Sequence, residues 1–215
     1  MHDLLGELYS FEEIRAIYDL VVDDRLDLKA FTAFDLSLGG PSALTIADPQ
    51  YIGGTLNMPG QGVGRYSVAD RAIFRPLQYC AAHLMLVSED AVWLARSVVR
   101  DSSAHIEGLL QRIGGRKLSL GALLRKQPVV DTLDTVTREQ AMRFARINNA
   151  AKHDYDHPKD THMFSYSDAL CAYFICRRLG LKLYPSARLN TDVSVFDVAP
   201  AGFDATTGRL TRASS

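Results

Sequence analysis

Between residues 73 and 98 the apolar side chains fall into a pattern that admits one kind of element. Ile73, Leu77, Cys80, Leu84, Val87, Ala91, Leu94 and Val98 follow one another at alternating four- and three-residue steps without a miss. A strand repeats every two residues, so only a helix gathers these side chains on one face. The seam is narrow, which suits packing against one or two neighbouring helices. Pro76 either opens this helix at its first turn or kinks it. After Asp101-Ser102-Ser103 the period resumes through Ile106, Leu109, Leu110 and Ile113 and stops at Gly114-Gly115. The reading is therefore one long core helix over 73–113, with other helices covering its seam.

Those partners can be read on either side. Phe11, Ile14, Ile17, Tyr18 and Val21 recur at helical steps behind Ser10, a plausible N-cap, and Leu28, Phe31 and Phe34 suggest a second short helix ending at Gly39-Gly40-Pro41. Seven glycines and three prolines between 39 and 64 predict a long loop, with a short hairpin near 51–56. Residues 119–125 form one short helix, which Gln127-Pro128 breaks. Thr137 with Gln140 makes a capping box for a helix running to about 154, where His157-Pro158 stops it. Ser165 or Ser167 caps a last helix that Gly180 closes at its C-cap, with Arg177 and Arg178 complementing its final turn. From 186 onward no helical period remains, and the chain reads as an extended arm.

The fold expected is all-α: an antiparallel helical bundle over 67–184, an irregular Gly/Pro-rich N-terminal extension over 1–66, and an extended C-terminal arm over 185–215. Charge narrows the function. With 24 basic and 25 acidic residues the net charge is −1, so any polyanion site must be a local patch. Cys80, Cys171 and Cys176 form no CxxC pair and lie in apolar stretches, as small buried hydrophobes of a reducing compartment do. The opening MHDLLGELYSFEE lacks the pattern of a secretory signal. No stretch reaches the roughly 18 apolar residues of a membrane span. The expectation is a cytoplasmic protein with no membrane contact.

Chemistry concentrates between 143 and 162, where three of the six histidines fall within ten residues. On a helix, Arg146, Asn149 and His153 stand at i, i+3 and i+7, within roughly 60° of one face at about 100° per residue. Ala141, Phe144, Ala145 and Ala151 project elsewhere, so the polar trio is not consumed by the core. Arginine binds phosphate bidentately and stabilises charge on its oxygens, and histidine exchanges protons near neutrality. The pattern points to phosphodiester chemistry, with Arg146 as phosphate clamp, His153 as general acid/base, Asn149 as orienter and Lys152 as added positive charge toward substrate. Pairing of this helix with its copy across a two-fold axis would bring two of each group into one cleft.

An arginine, a following stretch with asparagine, and a histidine near the end of a penultimate helix resemble the signature of the HEPN superfamily. The resemblance covers residues 70–184; His105-Ile-Glu107-Gly-Leu-Leu and Leu118-Ser-Leu-Gly-Ala-Leu-Leu are similar to the middle of some members. It implies an antiparallel bundle that dimerises, and a metal-independent endoribonuclease of a toxin–antitoxin or antiphage system. The implied partners are RNA, a second copy and a cognate antitoxin. The same resemblance also implies the alternative of a non-catalytic helical interaction module. Two features depart from the family pattern. The residue after the arginine is the apolar Ile147, and the six residues between Arg146 and His153 are at the long end of the range.

Neither a cofactor nor a metal is expected. His153, Asp156, His157, Asp160 and His162 have metal-ligating chemistry but crowd one loop, and no further ligand is poised to complete a shell. Gly60-Gln-Gly62-Val-Gly64 lacks the strand and the Lys-Ser/Thr of a phosphate loop. His83 and Trp93 read as packing residues.

Overall fold

Ile73 and His105 are 32 residues apart in sequence, about 48 Å on a continuous helix at 1.5 Å per residue. Yet His105 Nδ1 lies 2.7 Å from the Ile73 carbonyl oxygen. The chain must reverse between them, and the single helix read over 73–113 is two. In the computed structural model, which describes residues 11–23, 25–42, 70–86, 93–115, 118–153, 164–190, 193, 203–204 and 209–210, helix α3 spans Arg71–Leu86 and α4 spans Trp93–Gly114. They lie antiparallel: Cys80 Sγ reaches the Val98 carbonyl at 3.7 Å and Ser102 Oγ at 3.3 Å. The seam did not reveal the reversal because both arms turn their apolar stripe toward the same core. Gly108 allows the close approach, since a Cβ there would stand 3.3 Å from Ile73 Cγ1.

The remaining described elements are helices α1 (Phe11–Tyr18), α2 (Leu28–Ser37), α5 (Leu120–Leu123), α6 (Gln127–Val130), α7 (Thr135–His153) and α8 (Tyr166–Leu183), with a 3-10 turn over Tyr184–Ser186. Two-residue strands pair antiparallel, β1 (Val21–Val22) with β2 (Arg25–Leu26) and β3 (Phe203–Asp204) with β4 (Arg209–Leu210). The described chain is thus mostly helical, as expected. Helix α4 is the hub, with α3, α8 and α7 packed around it and α5 and α6 against its end. No helix among the described residues is long and apolar enough to cross a membrane.

Several local expectations change for identifiable reasons. Helix α7 begins at Thr135, because Asp134 caps it: its carboxylate accepts from the Thr137 amide at 2.8 Å and the Thr137 hydroxyl at 2.6 Å. Thr137 is therefore two residues inside the helix and no N-cap. These donors, the hydroxyl first, hold the exposed Asp134 carboxyl below its ordinary pKa. Pro128 sits in the first turn of α6 and starts a helix where a break was read. Ser165 caps α8 in a reciprocal box with Asp168, at 3.2 and 2.7 Å. Gly180 does not end α8, which continues to Leu183. Its missing Cβ makes room for Tyr184, whose hydroxyl would otherwise be 2.8 Å away.

Arg177 and Arg178 do not serve the end of α8 as read. Arg177 is buried. Its guanidinium donates from Nε to Asp35 Oδ1 at 2.8 Å, from Nη2 to the Asp35 and Gly39 carbonyls at 3.0 and 2.7 Å, and from Nη1 to the Pro41 carbonyl at 2.5 Å. Burial opposes its charge, but the Asp35 carboxylate outweighs that and holds its pKa above the ordinary value. Arg178 pairs with Glu13 of α1. Phe31 and Phe34 of α2 stack on Phe174 at 5.7 and 4.7 Å between centroids. Helices α1 and α2 therefore share the core of the bundle, with Ile17 and Phe31 fully enclosed. The start of the arm also docks: Ala187 is buried, and the Asn190 amide donates to Asp70 Oδ2 at 2.8 Å. The 41–65 loop beyond Ser42 lies outside the described residues.

Candidate functional site

Helix α7 divides cleanly by face. Thr137, Ala141, Phe144, Asn148 and Ala151 are buried toward the core, while Arg146, Asn149 and His153 are exposed on the opposite side. Among the described residues Arg146 makes no hydrogen bond or ion pair. Ile147, the departure from the family pattern, is 5% exposed and belongs to the core, which accounts for its apolar side chain. Of the two adjacent asparagines, Asn148 is the enclosed one, and its Oδ1 has no hydrogen-bond partner. The histidine-rich continuation, Asp156 to His162, lies outside the described residues.

Lys152 parts from the trio. Its side chain turns to α4, where Nζ stands 3.8 Å from Glu107 Oε2 and lines a groove of about 780 Å³ between α3 and α4. The groove exists because its floor is made of small residues, Ala72, Ala104 and Gly108. At one end His83 of α3 faces Asp101 of α4, with Nδ1 and Oδ2 3.0 Å apart, flanked by Ser97 and Arg100. That separation is an ion-pair contact without hydrogen-bond alignment, since neither atom meets the angular criterion for a bond. Both atoms are enclosed although each side chain is about a quarter exposed, and the imidazole lines the groove. At the other end Arg112 is tied to Asp70 at 3.1 Å, and Gln111 donates to Glu107 at 3.3 Å.

The reading of His83 as a packing residue is thereby corrected: it pairs with Asp101 on a groove wall. Trp93, also read as packing, is 65% exposed at the start of α4. The unbroken period through Val87 and Ala91 hid the groove, and the one available signal was the three consecutive polar residues Ser88-Glu89-Asp90 between them. The three thiols are enclosed and form no disulfide. Burial pushes Cys80 well up and Cys171 to about 12, so neither supplies a thiolate near neutral pH. Among the described residues His105 is the one buried imidazole. Its Nδ1–H donates to the Ile73 carbonyl, so Nε2 accepts the Tyr184 hydroxyl at 2.9 Å. Desolvation lowers its pKa to about 4, against that hydrogen bond, with the nearby Arg177 charge adding to the fall.

No family model, no protein of curated function and no solved structure matches the chain.

Proposed function

We propose that the chain binds RNA and cleaves it without metal, as a homodimer of HEPN-like type acting in a toxin or antiphage-defence setting. The observation that carries this reading is the exposure of Arg146, Asn149 and His153 along one face of α7, opposite the face that packs. A permanent cation, an amide and an imidazole on the exposed face take no part in the core, so substituting them costs folding little. In the reaction, His153 takes the proton of a ribose 2′-hydroxyl and the oxygen attacks the adjacent phosphorus. The bond to the 5′-oxygen of the next nucleotide breaks, and that oxygen leaves with a proton from the second histidine of the dimer. Arg146 binds the non-bridging oxygens and stabilises the charge that develops on them. Asn149 orients the imidazole or the ribose.

The test is cleavage of single-stranded RNA in EDTA, read by its 2′,3′-cyclic or 3′-phosphate ends. His153→Ala and Arg146→Ala are each expected to lower the rate by about 100-fold or more, with unfolding shifted by no more than about 0.5 kcal/mol. Cleavage retained in both variants would place the activity elsewhere. No cleavage by the parent protein over a broad RNA panel would leave the helical interaction module as the better reading.

A further inference from the structure

The groove between α3 and α4 has a chemistry that the α7 stripe does not use. Its two ends differ. At the Gln111 end the charges are already matched, Arg112 with Asp70 and Lys152 with Glu107, so that end offers polar edges without a spare charge. At the His83 end, Arg100 is exposed and makes no ion pair among the described residues. Ser97, Arg100 and Asp101 share one face of α4 by their spacing, and His83 meets them from α3. Asp101 Oδ2 lies 3.0 Å from the enclosed His83 Nδ1, and the imidazole lines the groove with its partly exposed side. With Nδ1 facing Asp101, Nε2 donates only from the doubly protonated ring; that imidazolium, the hydroxyl and the guanidinium form the anion seat, and Asp101, the acidic residue lining this end among the described residues, faces the imidazole.

From that seat the floor runs through Ala104 and Gly108, one and two turns beyond Arg100, about 6 and 12 Å along the axis at 1.5 Å per residue. Ala104 and Gly108 themselves add no side chain larger than a methyl, with Ala72 opposite on α3, and Ile73 and Glu107 line the same stretch. A flat ring can lie there. Beside it stands Glu107, an acceptor, and past it Gln111, whose amide presents both a donor and an acceptor. The volume of about 780 Å³ falls within the roughly 300–1,000 Å³ of small-molecule sites.

We propose that this groove is a binding site for a nucleoside monophosphate, its phosphate held by Arg100, His83 and Ser97 and its base lying over Ala104 and Gly108. The nucleotide comes either free or as the 5′-phosphorylated end of an RNA chain. The site stands apart from the Arg146–His153 face and does not depend on the nuclease reading.

Titration calorimetry on the full chain tests it with the four ribonucleoside 5′-monophosphates, adenosine, inorganic phosphate, and a short RNA with and without a 5′-phosphate. At least one monophosphate is expected to bind about tenfold or more tighter than both its nucleoside and inorganic phosphate. Arg100→Ala and His83→Ala are each expected to weaken it about tenfold or more. Ala104→Leu, a change at an exposed position, raises the floor and should abolish binding while the melting temperature holds. A free monophosphate that binds as tightly as the 5′-phosphorylated RNA identifies the small molecule as the ligand. A 5′-phosphorylated RNA about tenfold tighter than both the mononucleotide and its 5′-hydroxyl twin identifies the chain end. No monophosphate binding at millimolar concentration, or binding untouched by Ala104→Leu, overturns the proposal.

Discussion

Removing Arg177 should cost this protein a large part of its stability, and the structure says how the loss divides. Arg177→Met keeps the apolar stem but deletes four hydrogen bonds, three of them to the carbonyl oxygens of Asp35, Gly39 and Pro41. The fully enclosed Asp35 carboxylate is left with the Tyr173 hydroxyl, at 3.0 Å, and with Oδ2 already lacking a partner. Breaking a buried pair in this way costs about 3–5 kcal/mol, against a typical total of about 5–15. A double change, Asp35→Leu with Arg177→Met, removes the orphaned charge and should recover part of that. Full recovery is not expected, because the Gly39 and Pro41 carbonyls stay unpaired at about 1–3 kcal/mol each. Urea unfolding followed by circular dichroism gives the two differences. Limited proteolysis near residues 20–42 separates global unfolding from local release of α2. Arg177→Met within about 1 kcal/mol of the parent, with the 20–42 segment still protected, would refute the idea that this pair locks the N-terminal helices to α8.

Other consequences are as open to measurement. His105 has a native pKa of about 4 against 6.5 unfolded, so between those values the unfolded chain binds the extra proton. Stability should therefore be full above pH 6.5, fall by at most about 3 kcal/mol as pH drops to 4, and level off below, as far as this group is concerned. His105→Gln should flatten that part of the profile in pH-dependent urea unfolding. Gly180→Ala gains about 0.5–1 kcal/mol of helix propensity but pushes the Tyr184 hydroxyl off His105, for a net loss of about 1–2 kcal/mol. Repeating it in a Tyr184→Phe background, where no hydroxyl meets the new methyl, should shrink that loss in thermal unfolding. Asp134→Ala removes the cap of α7 and should lower the unfolding midpoint in the same measurement.

What could be read from the chain was what repeats within one element. The 3.6-residue period placed α1, α2, α7 and α8 within a few residues, and the Ser165 cap is where it was expected. The exposed face of α7 followed from the same period, because a wheel separates Phe144 from Arg146 whatever the helix packs against. Contacts between elements were not legible. Arg177 looks like any basic residue near a helix end, and only its Asp35 partner, 142 residues away, makes it a core residue. Gly180 reads as a stop signal until Tyr184 is seen lying over it. The 73–113 seam is the sharpest case: its period carries no information about direction, so a straight helix and a hairpin with both stripes inward give the same pattern.

That one ambiguity hid the groove as well. In a straight helix His83 and Asp101 are 18 residues apart, about 27 Å at 1.5 Å per residue; after the reversal their side chains touch at 3.0 Å. The hairpin also packs Gly108 against Ile73 and leaves the small residues Ala72 and Ala104 lining the trough beside that contact. The two candidate sites therefore have different physical standing. The α7 stripe is a property of one helix and would survive any rearrangement that keeps α7 folded and that face in solvent. The groove is a property of the α3–α4 register, so a shift of a single turn, about 5.4 Å, would separate His83 from Asp101 and close the floor. Binding in the groove should accordingly respond to substitutions that move α3 along α4, such as Gly108→Ala against Ile73, while the α7 chemistry should not.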